Sequence, residues 1–322
     1  MSDGVASGAS ASNQVPFYSR QTLCGALDLG ALIDALDEAH RLGVPETSDC
    51  PIGPASGRLF VRGAVLPGQA MGAKVVSIFP ENLACGTPSV QALFVLFDGG
   101  TGSPRAVLDA TGLTYWKTAA DSALGARYLS REDARTLLMV GAGALAPWLV
   151  RAHLCARPSI VQVLVWNRTE RRAAELAATL TQAGIHASSV SDLAAAADSA
   201  DIVSTATMAR TPLIRGEWLK PGTHLDLVGA YAPDTREADD ACFRRARVFT
   251  DYRPSAHDVG EIRLPMASGA LRVTDLIGDL YDLARGMVGR RAPSDITLFK
   301  NAGGAHLDLM TASFLLRRME KT

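Results

Sequence analysis

The chain has 322 residues, of which 48% are apolar and 20% charged, and this composition excludes an intrinsically disordered protein. Its 32 lysines and arginines nearly balance its 33 aspartates and glutamates, so no charge excess indicates a nucleic acid or a membrane surface as partner. A chain of this length is expected to form about two domains and to act on a small molecule.

The cysteines and the apolar stretches indicate the compartment. Five cysteines are scattered without a CxxC pair, which favours unpaired thiols in a reducing environment. The first twenty residues lack the charged and apolar regions of a signal peptide, and the longest apolar stretch, 137–150, is too short to span a bilayer. The sequence therefore predicts a cytoplasmic protein.

The first part of the chain, up to about residue 120, shows mixed helix and strand patterns. Apolar residues at helical spacing predict a helix over 24–43, which ends at a glycine. Four β-like runs follow, separated by Gly, Pro and Asn as in an antiparallel meander. These runs cover residues 59–66, 73–79, 90–98 and 105–110. A second helix is predicted over 114–129.

From about residue 134 strands alternate with helices, and this rhythm predicts a parallel, doubly wound sheet of the Rossmann type. The predicted strands cover 136–140, 161–167, 200–207, 224–230 and 246–251. A helix over 169–183 follows the second of them, and a last helix over 305–319 has the length to pack back onto the first domain. The fold class is therefore α/β, with a mixed α+β domain beside the Rossmann-type domain.

A glycine-rich turn follows the strand 136–140 and opens a helix. It reads Gly141-Ala142-Gly143-Ala144-Leu145-Ala146, a GxGxxA pattern in strand–turn–helix context. The first glycine allows the tight turn, the second lets the backbone approach a pyrophosphate, and the final alanine permits close packing of helix on strand. The N–H groups at the helix start then bind the phosphates. The pattern predicts a dinucleotide site, and the alternative is a glycine-rich turn without a ligand.

The second strand of this unit ends in Asn167, Arg168 and Thr169. Sites that prefer NAD usually carry an acidic residue here, which accepts hydrogen bonds from the ribose hydroxyls. A neutral asparagine followed by an arginine suits a 2′-phosphate instead. The sequence therefore predicts NADPH as the preferred cofactor, with weaker binding of NADH. The alternative is that Arg168 is only a solvated residue at a helix start.

Five segments occur in a specific order, namely LDATGLTYWKTAADSALGARYL, LLMVGAGALA, VWNRTERRA, GEWLKPGTHLDLVGA and TLFKNAGGAHLD. With them the chain resembles the ornithine cyclodeaminase/mu-crystallin family over roughly residues 55–315, most closely its bacterial Δ1-pyrroline-2-carboxylate reductase branch. The resemblance implies a homodimer. It also implies a substrate-binding and dimerisation domain over 1–125, completed by 292–322, and an NADP-binding Rossmann domain over 126–291.

The resemblance implies an activity as well. Members of this branch reduce Δ1-pyrroline-2-carboxylate to L-proline, and often Δ1-piperideine-2-carboxylate to L-pipecolate, so the expected partner is a small cyclic imino acid. The alternatives are an ornithine cyclodeaminase, an alanine dehydrogenase-like enzyme and a non-catalytic small-ligand binding protein. Cyclodeaminases have an aspartate where this chain has Tyr231, and a tyrosine cannot act as a carboxylate base.

Substrate contacts follow from the resemblance, residue by residue. Arg58 corresponds to the family arginine near the substrate carboxylate. Lys117 stands where most members have an arginine and is expected to hold either the substrate carboxylate or an adjacent cofactor phosphate. Lys74 corresponds to the lysine that contacts the substrate, and we assign it a catalytic role too. Arg62 is close enough in sequence to take the role of Arg58. A helix over 114–129 would place Lys117 in its first turn, where a cation is unfavourable unless an anion lies nearby.

An acidic active-site position of the family corresponds to Asp258, the second predicted catalytic residue, with Glu261 as the alternative. Asp308 matches a C-terminal acidic position and is interpreted as structural. The six histidines lack the spacing of metal ligands, so no metal site is predicted. His257 and His306 are the two that we expect near a pocket.

The remaining predicted cofactor contacts are spread along the chain. The resemblance places Thr118 near the cofactor phosphates. Thr207, Met208 and Gly229 are also expected to contact the cofactor.

Overall fold

A computed structural model describes residues 14–54 and 56–321, which form two β-sheets with helices packed around them. No helix in this described part is both long enough and apolar enough to cross a membrane.

The first sheet has six strands in the order β1-β6-β5-β4-β3-β2. Strands β2 to β6 pair antiparallel in chain order, and β1 adds parallel to β6. The strands are β1 Phe17–Tyr18, β2 Glu46–Ile52, β3 Arg58–Leu66, β4 Ala70–Ile78, β5 Val90–Asp98 and β6 Pro104–Asp109. The four predicted strands are confirmed. Strand β2 was not predicted, because its sequence ETSDCPI is exposed throughout and shows no apolar alternation.

Helices α1 Arg20–Ala26, α2 Leu29–Leu42, α3 Ala110–Leu129 and α11 Ala305–Met319 pack with this sheet and with one another. The single helix predicted over 24–43 is two helices, because Asp28 caps a new one and accepts a hydrogen bond from the Ala31 amide at 3.0 Å. The bounds of α11 agree with the prediction.

Helix α3 begins four residues before its predicted start. The Asp109 carboxylate accepts a hydrogen bond from the Thr111 amide at 2.9 Å and so caps the helix at Ala110. Lys117 therefore lies almost two turns inside the helix, and the prediction that it lies in the first turn is wrong. The helix dipole consequently does not determine its environment.

The second sheet has eight parallel strands in the order β13-β12-β14-β11-β10-β7-β8-β9, which confirms the doubly wound fold. The strands are β7 Thr136–Val140, β8 Gln162–Trp166, β9 Ala187–Ser189, β10 Ile202–Thr205, β11 His224–Leu227, β12 Arg247–Thr250, β13 Leu276–Gly278 and β14 Thr297–Lys300. The central strands are buried, as expected for a parallel sheet covered on both faces.

Seven α-helices accompany this sheet in the described part of the chain: α4 Ala146–Ala156, α5 Glu170–Gln182, α6 Leu193–Ser199, α7 Asp240–Arg245, α8 Arg253–Ala256, α9 Gly260–Ala267 and α10 Leu280–Ala284. Short 3-10 helices cover Pro80–Cys85, Gly216–Trp218 and Val273–Asp275. The chain runs from β7 to β8 on one side and from β10 to β11 on the other. The carboxyl ends of β7 and β10 therefore flank the switch point at which such folds bind ligands.

The two sheets divide the chain differently from the predicted domain boundaries. Residue 125 lies inside the continuous helix α3, and β14, predicted to complete the first domain, lies between β11 and β12 of the second sheet. Helix α11 packs against α3 and the strands of the first sheet. We propose that the domains follow the sheets, with α11 rather than the whole segment 292–322 completing the first domain.

Candidate active site

Two buried lysines from different elements contact one buried carboxylate. The Lys74 Nζ on β4 lies 3.0 Å from Oδ1 and 2.8 Å from Oδ2 of Asp308 on α11. The Lys117 Nζ on α3 lies 3.0 Å from the same Oδ1. The three side chains are 6%, 4% and 0% exposed, respectively. The group therefore carries one more positive than negative charge when both lysines are protonated, which favours an anionic ligand.

Burial and mutual attraction compete in this group. Burial lowers the pKa of Lys117 to about 8, although the Asp308 carboxylate opposes the shift. Burial acts to raise the pKa of Asp308, but the charges of Lys117 and Lys74 hold it below its ordinary value. Asp308 is thus ionised, and Lys117 is a cation that loses its proton within an accessible pH range.

Arg62 is a third cation of this region. The register of β3 and β4 pairs Arg62 directly with Lys74, so the two side chains lie on the same face of the sheet. The guanidinium makes a fork to Asp49 on β2, with Nε 2.9 and 3.1 Å from the two carboxylate oxygens and Nη2 2.7 Å from one of them. Burial acts to lower the pKa of Arg62, but Asp49 and the more distant Asp308 raise it.

Arg58 lies farther from the lysines. It pairs with Ile78 at the other end of β4, about 13 Å along the strand from the pair Arg62–Lys74. The structure therefore places Arg62, and not Arg58, beside Lys74. The sequence could not distinguish the two, because both have the same parity in β3 and point to the same face.

A turn before α11 closes over Lys117. The Lys117 Nζ donates a hydrogen bond to the Gly304 carbonyl at 3.1 Å, and Gly303 adopts a φ of 71°, which favours glycine. The Gly303 amide donates to the Asp251 carboxylate at 2.5 Å. The Asn301 amide group donates to the Thr118 carbonyl and to the Ser122 hydroxyl, both at 3.0 Å. These bonds tie the turn to α3.

A cleft of about 500 Å³ opens at the carboxyl ends of β7, β8 and β10. Predicted cofactor residues line it, namely Gly141, Ala142, Gly143, Asn167, Arg168, Thr169, Thr207 and Met208. Gly229 does not line the cleft but packs against the backbone of Thr207, because a Cβ there would lie 2.2 Å from the Thr207 carbonyl oxygen. Ala144, Leu145 and Ala146 do not line the cleft, and Ala146 is buried at the first position of α4. Thr118 lies outside it, on α3.

The two glycines of the turn differ as the GxGxxA pattern requires. Gly141 has a φ of 108°, and a Cβ there would lie 2.6 Å from the Ala206 carbonyl oxygen. A Cβ on Gly143 would meet nothing within 4 Å, so the backbone there is open to a ligand. The Ala142 amide donates to the Asn167 side-chain oxygen at 3.2 Å, which fixes the turn against the end of β8. The residues present therefore fit a dinucleotide.

Three arginines line the cleft at the carboxyl ends of β7, β8 and β10. Arg168 and Arg172 come from the start of α5, and Arg210 comes from the facing loop after β10, where its guanidinium lies 3.4 Å from Asp234. Arg171 instead pairs with Glu175 along the helix at 2.9 Å and does not line the cleft. Arg210 was not identified from the sequence, because nothing local shows that its loop faces the end of β8.

The predicted catalytic acid lies elsewhere. Asp258 is exposed just before α9, and no contact joins it to Lys74 or Lys117 among the residues that the structure describes. Glu261 is buried but accepts hydrogen bonds from the Glu237 and Ala238 amides at 2.7 and 3.0 Å, so it holds the backbone. The carboxylate at the lysines is Asp308. Of the two histidines, His257 is exposed and His306 is buried on α11.

Fold and site together define a Rossmann-type dinucleotide-binding protein with a buried cationic site. The profile of the ornithine cyclodeaminase/mu-crystallin family matches residues 30–322, and the chain belongs to this family. It is 45% identical over 305 residues to the Δ1-pyrroline-2-carboxylate reductase of Paracoccus denitrificans, covering 94% of this chain and 96% of the relative.

Solved structures agree with the sequence comparison. The fold is similar to the Δ1-pyrroline-2-carboxylate reductase of Thermococcus litoralis in complex with NADH and L-proline, with a TM-score of 0.86 and 29% identity over 95% of this chain and 98% of that one. It is also similar to an archaeal alanine dehydrogenase dimer with bound NAD, with a TM-score of 0.88 and 27% identity over 95% and 96% of the two chains.

Proposed function

We propose that this protein is an NADPH-dependent reductase of cyclic imines, which converts Δ1-pyrroline-2-carboxylate to L-proline and Δ1-piperideine-2-carboxylate to L-pipecolate. Its class is that of the nicotinamide-dependent oxidoreductases acting on carbon–nitrogen double bonds. The observation that carries the proposal is the buried group of Lys74, Lys117 and Asp308 in a chain whose relatives are named as reductases of this substrate. Its single surplus positive charge matches the one carboxylate of the substrate.

The chain's own residues bind and orient the reactants. The glycine turn at 141–143 and the residues 167–169 would hold the dinucleotide. When bound, the nicotinamide supplies a hydride to C2 of the imine. Lys117 and Lys74 hold the neighbouring carboxylate, with Arg62 beside them. In a buried site these charges act more strongly than in water, and they fix C2 in a reactive orientation.

A substrate panel tests this function. We expect NADPH oxidation with Δ1-pyrroline-2-carboxylate and Δ1-piperideine-2-carboxylate, and no ammonia release from L-ornithine with catalytic NAD. The second expectation follows from Tyr231, which is 66% exposed where cyclodeaminases have the aspartate. Turnover only with pyruvate and ammonia would instead identify an alanine dehydrogenase, and binding without any turnover would identify a small-ligand binding protein.

The preference for NADPH is a proposal of its own, supported by the arginines that line the cleft. We expect Arg168→Ala to raise the Kd for NADPH about tenfold to over a hundredfold, which corresponds to the loss of a charge-assisted contact of roughly 1.5–3 kcal/mol. The Kd for NADH should barely change, because NADH lacks the 2′-phosphate. Titration of cofactor fluorescence measures both constants. Arg171→Ala is the matched control, and equal losses for both cofactors would contradict the assignment.

The choice between Arg62 and Arg58 is also testable. We expect Arg62→Ala to raise the KM for the cyclic imine at least about tenfold, because it removes the cation opposite Lys74 and leaves Asp49 unpaired. Arg58→Ala, a deletion of the same size on the same strand, should change the KM less than about twofold. Steady-state kinetics of the two variants decide the matter. A larger rise of KM in Arg58→Ala than in Arg62→Ala would assign substrate binding to Arg58.

We further propose that the protein is a homodimer, and the archaeal alanine dehydrogenase of similar fold is described as a dimer. Apolar side chains on strands of the first sheet support an interface there, because Ile52, Leu59 and Leu93 are 51%, 40% and 45% exposed.

A further inference from the structure

One wall of the dinucleotide cleft is a loop rather than a helix or a strand. This segment, which we call the cleft loop, follows β10 and lines the cleft with residues 206–211 and Leu213. A loop lacks a regular hydrogen-bond pattern of its own, so other parts of the chain must hold its conformation. How they do so matters for function if the cleft binds a nicotinamide dinucleotide, as the proposed function requires.

Glu237 holds the start of the cleft loop from outside the cleft. Its Oε1 accepts hydrogen bonds from the Thr207 amide at 2.6 Å and from the Thr207 hydroxyl at 2.7 Å. Its Oε2 accepts a hydrogen bond at 2.8 Å from the hydroxyl of Thr205, the last residue of β10. Glu237 is 0% exposed and does not line the cleft, so it acts on a bound ligand only through the residues that it holds.

The backbone at Glu237 holds the rest of the cleft loop. The Arg236 amide donates a hydrogen bond to the Ala209 carbonyl at 2.9 Å. The Glu237 carbonyl accepts hydrogen bonds from the Leu213 and Ile214 amides at 2.8 and 2.9 Å. One short segment of the chain therefore contacts the cleft loop at its start, in its middle and at its end.

This segment is itself fixed by a second buried carboxylate. Glu261 on α9 is 0% exposed and accepts hydrogen bonds from the Glu237 and Ala238 amides at 2.7 and 3.0 Å. A buried carboxylate is very unfavourable unless its oxygens are hydrogen-bonded, and both oxygens of Glu237 and of Glu261 have partners. The backbone of Glu237 is thus held in place while its side chain holds Thr207.

Gly229, two residues after β11, leaves the space that the Glu237 carboxylate occupies. A Cβ at Gly229 would lie 2.6 Å from both Cδ and Oε1 of Glu237. Any larger residue would displace this carboxylate or the backbone of Thr207. The close approach of the three residues explains a glycine at a position that does not itself line the cleft.

We propose that Glu237 is a positioning residue for the cofactor and keeps the cleft loop in the conformation that binds the nicotinamide dinucleotide. The Kd of a ligand rises in inverse proportion to the fraction of molecules that are competent to bind it. Glu237 acts on a wall of the cleft and not on the 2′-phosphate, so its loss should weaken the binding of NADPH and of NADH by the same factor. Loss of Arg168, in contrast, is expected to weaken NADPH alone.

The experiment measures the Kd for NADPH and for NADH by cofactor fluorescence in wild type, Glu237→Ala and Asp239→Ala. We expect Glu237→Ala to raise both Kd values about tenfold or more, by a common factor. Asp239→Ala is the matched control, because its carboxylate also accepts two backbone hydrogen bonds, from the Gly216 and Cys242 amides, and neither belongs to the cleft loop. This control should lower the midpoint of unfolding but leave both Kd values within about twofold of wild type.

A second measurement needs no cofactor. Hydrogen exchange of the ligand-free protein, followed by mass spectrometry, should show faster exchange of the cleft-loop amides in Glu237→Ala than in wild type. Asp239→Ala should exchange these amides at the wild-type rate. This readout reports the conformation of the cleft loop independently of catalysis.

Three results in a folded Glu237→Ala variant would overturn the proposal: wild-type Kd values for both dinucleotides, a loss confined to NADPH, or unchanged exchange of the cleft loop. If Glu237→Ala does not fold, Glu237→Asp takes its place, because it keeps the charge but withdraws the carboxylate from Thr207 by one methylene. Wild-type Kd values in Glu237→Asp would then overturn the proposal. Failure of the wild-type protein to bind either dinucleotide would refute the proposed function instead, and hydrogen exchange would still show whether Glu237 holds the loop.

Discussion

Asp308→Asn is expected to abolish imine reduction and to lower the free energy of unfolding by about 3 kcal/mol at neutral pH. The substitution leaves two buried lysines without their shared counter-charge, and breaking a buried ion pair from one side typically costs about 3–5 kcal/mol. The lower end applies because Lys117, with a pKa of about 8, can release its proton. Denaturant unfolding followed by circular dichroism measures the loss.

The pH dependence of the stability that Asp308 contributes follows from the direction of its pKa shift. The pKa of Asp308 in the folded protein is below its ordinary value, so its contribution is complete above the unfolded-state pKa of about 3.9. The contribution disappears as the pH falls through the lower folded-state pKa. Asp133→Asn is the control, since Asp133 is an 81% exposed partner of Arg131 and should change neither stability nor activity. Wild-type stability in Asp308→Asn would show that the two lysines are neutral in the folded protein.

Lys117→Ala is expected to lower kcat/KM for the cyclic imine about a hundredfold, or ~3 kcal/mol, while the protein remains folded. The reason is that Lys117 supplies a buried positive charge for the substrate carboxylate. If the contact is equal in the ground and transition states, only KM rises, and a contact that tightens in the transition state lowers kcat too. Wild-type kinetics in the folded variant would leave carboxylate binding to Lys74 and Arg62.

The conservative variant Lys117→Arg gives an independent readout. Wild-type kcat/KM should fall above pH about 8, as Lys117 loses its proton. Arginine stays protonated, so Lys117→Arg should show no such fall, and its bulk and fork should permit only partial rescue of activity. An unchanged alkaline fall in Lys117→Arg would assign that titration to another group.

Local patterns explain how much of the fold was predictable. The buried parallel strands are apolar runs that the sequence shows directly. The turn after β7 is also recognisable from the sequence, because the φ of 108° at Gly141 is a conformation that favours glycine. The start of α3 was missed because the predicted strand over 105–110 includes Asp109, whose carboxylate caps the helix instead. Strand β2 has no pattern of its own and owes its conformation to pairing with β3.

The site was less predictable, because its members come from distant parts of the sequence. Asp308 lies 234 residues from Lys74 and 191 from Lys117, and only the packing of α11 against β4 and α3 brings them together. Asp258 matched a family position but is exposed, whereas Asp308, which the sequence suggests is structural, is buried and contacts both lysines. Burial decides the chemistry of both carboxylates, and burial here is a tertiary property.

The central claim is that the buried lysine site holds a cyclic imino acid for reduction at C2. Transfer of deuterium from NADPH labelled at the transferable position of its nicotinamide tests it most directly. The account predicts L-proline with one deuterium at C2 for each NADPH consumed from Δ1-pyrroline-2-carboxylate, and a greatly reduced rate for Lys117→Ala. Absence of labelled proline in the wild-type reaction, with NADPH consumed only in the presence of pyruvate and ammonia, would contradict it.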